Sequence, residues 1–118
     1  MITIPLIPVT KKNSQRIVMA GKRPVVIPSK AYEQYEKDAF YFLKPLGIDY
    51  PVNIKYLFYM PTHRKVELLN LEEAIDDIMV KAGALKDDNC EIVAGHDGSR
   101  VYYDKENPRT EIYIEEIE

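Results

Sequence analysis

Apolar side chains recur along the chain with two different periods, and the switches between them mark out its elements. Residues 2–7 alternate Ile with Thr and Pro, the period-two pattern of a half-buried strand, and Pro8 ends it because proline has no N–H to donate. Residues 16–19 and 24–27 flank Ala20-Gly21-Lys22-Arg23, which predicts a hairpin with Gly21 at its tip. Pro28-Ser29 then offers an N-cap for a helix over 30–43, where Tyr32, Tyr35, Ala39, Tyr41, Phe42 and Leu43 recur at helical spacing until Pro45 and Gly47 stop it. Alternation returns over 52–60, with Val52, Ile54, Tyr56 and Phe58 on one side, and Pro61 closes that strand.

A second helix is predicted over 68–82, with Gly83 at its C-terminal end. Leu68, Leu71, Ile75, Ile78, Met79 and Ala82 form one apolar stripe for the core. Asn70, Glu73 and Asp77 fall opposite, and Glu72 and Asp76 border the stripe. After a turn at 86–89, residues 91–94 read as a strand, 96–99 as a turn, 101–103 as a short strand and 110–117 as a final alternating strand. The expectation is α+β: a small mixed or antiparallel sheet with two helices, forming a single domain over 1–118.

Composition narrows the class. Of 118 residues, 46% are apolar and 30% charged, an ordinary globular mix in which no apolar run is long enough to cross a bilayer. The first residues lack the charged start and apolar core of a signal peptide, so the expected location is cytoplasmic, without a membrane. One cysteine, Cys90, excludes a disulfide framework and reads as a small packed residue.

The net charge of −3 conceals segregation. Residues 1–30 carry Lys11, Lys12, Arg16, Lys22, Arg23 and Lys30 with no acid, a charge of +6; the remaining 88 hold 10 bases against 19 acids, a charge of −9. A basic segment of this kind suits the phosphates of nucleic acid, and it equally suits a solvated loop.

Carboxylates carry the chemical signal. Glu67, Glu72, Glu73, Asp76, Asp77, Asp87, Asp88 and Glu91 crowd into 25 residues. Mg²⁺ nucleases need two or three hard oxygen ligands on one point. Glu67 and Asp88 flank a helix of roughly 15 residues, about 22 Å long. Either the loop after the helix folds back or a second chain completes the set.

The run 59–71, Tyr-Met-Pro-Thr-His-Arg-Lys-Val-Glu-Leu-Leu-Asn-Leu, resembles the signature of RusA-type Holliday-junction resolvases, in which a strand ends in Pro and a basic run precedes Asp-x-Asp-Asn-Leu at a helix start. Asp77 and the 86–89 turn resemble the downstream acids. Ile4-Pro5, Pro8 to Lys12 and Pro28 to Tyr32 add to the likeness, which covers nearly the whole chain. The C-terminal half, with His96 to Arg100, is similar to versions carried by bacteriophages and prophages of Gram-positive bacteria.

The resemblance implies a homodimeric, Mg²⁺-dependent endonuclease that cuts four-way DNA junctions, with Mn²⁺ as a possible substitute. Glu67 stands at the first motif Asp, Asn70 at the motif Asn, where it would cap or orient the helix start, and Asp88 at the downstream catalytic Asp. Leu69 replaces the second motif Asp, and Glu73 sits where the family often has a catalytic lysine. Two readings follow. In one the site is rebuilt: Glu67, Asp77 and Asp88 are catalytic, and Glu67, Glu73, Asp77, Asp87 and Asp88 supply metal ligands, with Lys11, Lys12, Lys81 or Lys86 restoring the lost cation. In the other the protein is a noncatalytic DNA-binding phage protein with an impaired metal site. Lys11, Lys12, Arg16, Arg64, Lys65 and Arg100 are the candidate phosphate contacts on branched DNA. Some of the nine tyrosines are candidates for stacking on unpaired bases, while Tyr32, Tyr35 and Tyr56 are assigned to packing. His63 reads as a general acid or a plain surface residue, and His96 as a turn residue.

Overall fold

The alternation over 52–60 becomes the organising strand of the molecule. A computed structural model describes residues 1–11 and 15–117, with Gln15 and Arg16 described in their backbone alone. In chain order the elements are β1 (Ile2–Ile4), β2 (Gln15–Ala20), β3 (Arg23–Pro28), α1 (Lys30–Ala39), a 3₁₀ turn (Phe40–Phe42), β4 (Val52–Met60), α2 (Leu68–Lys81), β5 (Val93–Gly95), β6 (Arg100–Tyr103) and β7 (Arg109–Glu116). β4 pairs antiparallel with β7 from Val52 to Tyr59, and β7 pairs antiparallel with β1. On its other edge β4 pairs parallel with β5 at Val52 and Asn53, then with β6 from Leu57 to Met60. The sheet is therefore mixed, and the parallel pairing requires the crossover that α2 supplies.

Val52, Ile54, Tyr56 and Phe58 are buried on one face of β4. Tyr32, Tyr35 and Ala39 of α1 and Leu71, Ile75, Ile78 and Met79 of α2 join them in one core with Ile4 and Ile112. The Tyr32 hydroxyl donates to the Ala74 carbonyl at 3.3 Å, tying the helices to each other. The opposite sheet face is open and polar-aromatic: Arg109 lies 3.7 Å from the Tyr59 ring centroid, and Tyr59 stacks on Tyr102. This is the expected α+β arrangement of a sheet with two helices.

Several boundaries differ from the periodicity. β1 stops at Ile4 because Pro5 cannot continue the ladder, and Leu6 N–H turns back to the Ile4 carbonyl. α1 tightens into the 3₁₀ turn after Ala39, where none of Phe40, Tyr41 and Phe42 is fully buried, and Leu43 is already extended ahead of Pro45. Residues 90–92 form a turn rather than strand, since Ile92 and Val93 N–H both reach the Asn89 carbonyl. Asn70, expected on the solvent side of α2, is buried.

β2 and β3 form a separate two-stranded hairpin paired from Gln15–Pro28 to Ala20–Arg23, with Gly21 at φ 67° as the first turn residue. Gly83 (φ 78°) terminates α2, and Ala84 N–H returns to the Met79 carbonyl. Ile48 then clamps the exit: its N–H donates to Ala84, and its carbonyl accepts from Lys86. That clamp fixes where residues 87–89 begin. No helix among the described residues is long and apolar enough to cross a membrane.

Candidate functional site

Between its pairings with β5 and β6, β4 has a gap at residues 54–56, and side chains fill it. His96 Nδ1 lies 2.8 Å from the Ile54 carbonyl oxygen, and Tyr56 N–H donates to Ser99 Oγ at 3.0 Å. Asn53 holds the same turn by accepting from Asp97 N–H and donating to its carbonyl. The segment 96–99 is thus a side-chain splice in the sheet ladder, which answers the backbone groups an edge would otherwise leave open.

The splice reaches across to α2. His96 Nε2 lies 2.8 Å from Asp76 Oδ2, and the Tyr56 hydroxyl donates to Asp76 Oδ1 at 2.6 Å. Both oxygens of Asp76 are therefore engaged inside the protein. Burial opposes a charge on His96, but the hydrogen bond and charge of Asp76, the Ile54 carbonyl and the charge of Glu72 outweigh it and push its pKa up to about 9. Glu72, one turn earlier on the same face and only 8% exposed, has its carboxyl raised by burial and by Asp76, against the opposing pull of His96. Sequence reading passed over this group. Glu72 and Asp76 bordered an apolar stripe and His96 sat in a turn, so nothing local linked residues 20 apart. The available signal was two adjacent acids at the edge of an otherwise apolar stripe, where a buried carboxylate demands a partner.

The outer ridge of α2 carries Glu73 and Asp77. Glu73 is exposed. Asp77 Oδ2 lies 3.2 Å from Lys11 Nζ and 3.6 Å from Lys81 Nζ, and Lys81 also reaches Glu36 at 3.1 Å. A cation from the basic N-terminal segment thus stands on the acidic helix one turn from Glu73.

Beyond α2, Asp87 organises its own loop: Oδ1 accepts from Asp88 N–H at 2.7 Å, and Oδ2 accepts from the Asn89 side chain at 3.1 Å. The exposed Asp88 carboxyl is raised by burial, by Asp87 beside it and by the charge of Asp76. At the opposite end Glu67 precedes the helix and accepts from the buried Asn70 side chain at 3.0 Å. No hydrogen bond or ion pair joins Glu67 to Asp87 or Asp88 among the described residues.

Arg64 and Lys65 are exposed in the segment leading into α2, and Arg100 is exposed at the start of β6. Lys12 lies outside the described residues, as does the side chain of Arg16. The His63 ring packs against Tyr103, tilted by 30° with centroids 3.8 Å apart, joining the basic segment to the end of β6. Cys90 is exposed rather than packed.

These positions decide how far the residues fit a metal. The donors are hard oxygens of the type Mg²⁺ takes. Yet among the described residues no three His, Cys, Asp or Glu side chains converge closely enough to hold an ion. Among the described residues, Glu67, the Glu73–Asp77 ridge and the Asp87–Asp88 loop therefore do not form one such group.

No curated protein matches the chain. A family profile described as "Endodeoxyribonuclease RusA" matches residues 5–115 of the 118, from the turn after β1 into the last strand. On that span, the protein belongs to the RusA family of endodeoxyribonucleases, nucleases of Holliday junctions.

Proposed function

We propose that the protein is a divalent-metal-dependent, structure-selective endonuclease that resolves four-way DNA junctions by paired phosphodiester hydrolysis, acting as a homodimer in the cytoplasm of a bacterial host. Mg²⁺ is the proposed ion, and Mn²⁺ its substitute. The observation that supports this reading most is Asp88. The resemblance gives it the family's downstream acidic position, and it stands exposed in the loop after α2, its carboxyl raised by burial and by the neighbouring acids Asp87 and Asp76. Such crowding of negative charge is what a divalent cation relieves.

The proposed ligands are Glu67, Glu73, Asp77, Asp87 and Asp88, with Glu67, Asp77 and Asp88 as the catalytic carboxylates. No three of them meet within the single chain, so the reading assigns the complete set to two copies of it. The chain's own contribution is binding and orientation. Lys11, Lys12, Arg16, Arg64, Lys65 and Arg100 hold phosphates and set the register of the DNA without reading bases. Asn70 orients Glu67 at the helix start. Lys11 and Lys81, both on Asp77, supply positive charge near the position where Glu73 replaces the family's lysine.

A second reading, a DNA-binding relative without chemistry, is favoured by Leu69 at the second motif acid and by the separation of the carboxylates. One experiment separates them: a mobile four-way junction incubated with Mg²⁺, with Mn²⁺ and with neither, beside a linear duplex. Symmetric metal-dependent cuts in the junction alone, lost in Asp88→Asn while binding persists, are the expected result. Salt-sensitive binding with no product under either ion would establish the second reading instead.

A further inference from the structure

A groove of about 330 Å³ lies between the 7–10 segment and the 60–66 segment, beside the N-terminal end of α2. Its walls include the apolar surfaces of Pro8, Val9, Pro61 and Val66, and Arg64 and Lys65 bring two cations to it. Next to Arg64 in the chain, His63 lies against Tyr103 at 3.8 Å between centroids, and both rings are exposed. The register that pairs Met60 with Tyr103 brings this ring pair beside the groove, because Met60 is itself a lining residue.

Each part selects for the same kind of ligand. The volume sits at the lower end of the range of about 300–1,000 Å³ usual for small-ligand sites, so it takes one nucleotide-sized group and excludes a duplex. Apolar walls favour a flat aromatic group, exposed aromatic rings offer a stacking face, and flanking cations suit the phosphates on either side of it. We infer that this groove and the His63–Tyr103 ring pair seat one unpaired base of branched DNA, with Arg64 and Lys65 on its flanking phosphates. The inference rests on the branched-DNA reading above and adds to it a site for the base itself. It gives the protein a way to prefer DNA with a disrupted stack over intact duplex, since an unpaired base is the cheapest to extrude.

Binding in EDTA, where nothing is cut, tests the seat. Three labelled DNAs are compared: a four-way junction, a duplex with one bulged nucleotide, and the same duplex with an abasic residue at the bulge. The abasic form keeps the backbone charge and removes only the base. The unaltered protein is expected to bind the bulge about tenfold more tightly than the abasic form, as one base–aromatic stack predicts. His63→Ala and Tyr103→Ala lose that difference, and Tyr103→Phe keeps it. Arg64→Ala and Lys65→Ala each lower the salt slope by about one phosphate contact. If the unaltered protein binds the junction but treats bulge and abasic bulge alike, or if Tyr103→Ala still discriminates, the seat is wrong and the branched-DNA reading stands. Failure to bind the junction at all overturns both.

Discussion

His96 and Asp76 meet at 2.8 Å between Nε2 and Oδ2, while the other ring nitrogen of His96 faces the Ile54 carbonyl at the same distance. Carboxylate and carbonyl can only accept, so both ring nitrogens carry protons and the ring is an imidazolium. It joins α2 to β4 in a region where charge is costly unless paired. The splice 96–99 is thereby held from both sides, by backbone on the sheet and by a carboxylate on the helix.

That pairing sets a pH dependence of stability. His96 has its pKa raised to about 9 in the folded protein, against about 6.5 in an unfolded chain. A raised value means that folding favours the protonated form. Its contribution is complete below about pH 6.5 and drains away as pH climbs through about 9, amounting to on the order of 2–3 kcal/mol. Urea unfolding from pH 6 to pH 10 should show this loss in the unaltered protein and not in His96→Gln. Parallel profiles for the two proteins would refute the imidazolium assignment.

Tyr56 supplies the other half of the clamp on Asp76. Its ring is fully buried, and its hydroxyl donates at 2.6 Å to Oδ1. Tyr56→Phe keeps the packing and removes one donor from a mostly buried carboxylate, which costs about 1–3 kcal/mol. Thermal unfolding at pH 7 should drop by several degrees. The variant should also lose more stability than Tyr113→Phe, whose hydroxyl bonds Glu111 on the open face of the sheet. Equal losses would show that Asp76 does not depend on Tyr56.

The strands and helices were legible in the chain wherever one period persisted. Val52, Ile54, Tyr56 and Phe58 announced the buried face of β4, and Leu71, Ile75, Ile78 and Met79 announced the core of α2. Short-range chemistry was legible too: Ser29 caps α1 by accepting from Tyr32 N–H. What escaped was long-range pairing. His96 reads as a turn residue until the fold brings Asp76 and Ile54 to it from 20 and 42 positions away. Asn70 escaped differently: its wheel position reads as solvent-facing, yet it is buried, although its partner Glu67 is only three residues away. Periodicity reports which face is apolar and cannot report that a polar side chain on its border has a buried partner elsewhere.

Gly83 ends α2 with φ 78°, and a Cβ there would stand 3.2 Å from Pro45 Cβ. Both the backbone conformation and the neighbour oppose a side chain. Gly83→Ala should destabilise by about 1–2 kcal/mol in chemical denaturation. Gly21 offers the control, since it shares a positive φ of 67° but has open space around it. Gly21→Ala should cost less, and a reversed order would mean that the Pro45 contact relaxes freely.

Leu69 is 64% exposed in the first turn of α2, at the position where the resemblance noted in the sequence would put the motif's second acid. An exposed leucine contributes little to the core, so Leu69→Asp should fold normally. It should even gain a few tenths of a kcal/mol, because a negative charge suits a helix N-terminus. Its second effect bears on the chemistry. A carboxylate at 69 adds a hard oxygen ligand two residues from Glu67, in the segment where Asn70 already orients that side chain. If the N-terminal end of α2 forms part of the metal site, Leu69→Asp should cut a four-way junction at a lower Mg²⁺ concentration, by about tenfold, and titrate Mn²⁺ more tightly. Leu69→Asn, polar but uncharged, should do neither. Should Leu69→Asp leave both the Mg²⁺ requirement and Mn²⁺ binding unchanged, the site has moved away from Glu67, and the ridge of Glu73 and Asp77 with the Asp87–Asp88 loop would have to hold the ion without it.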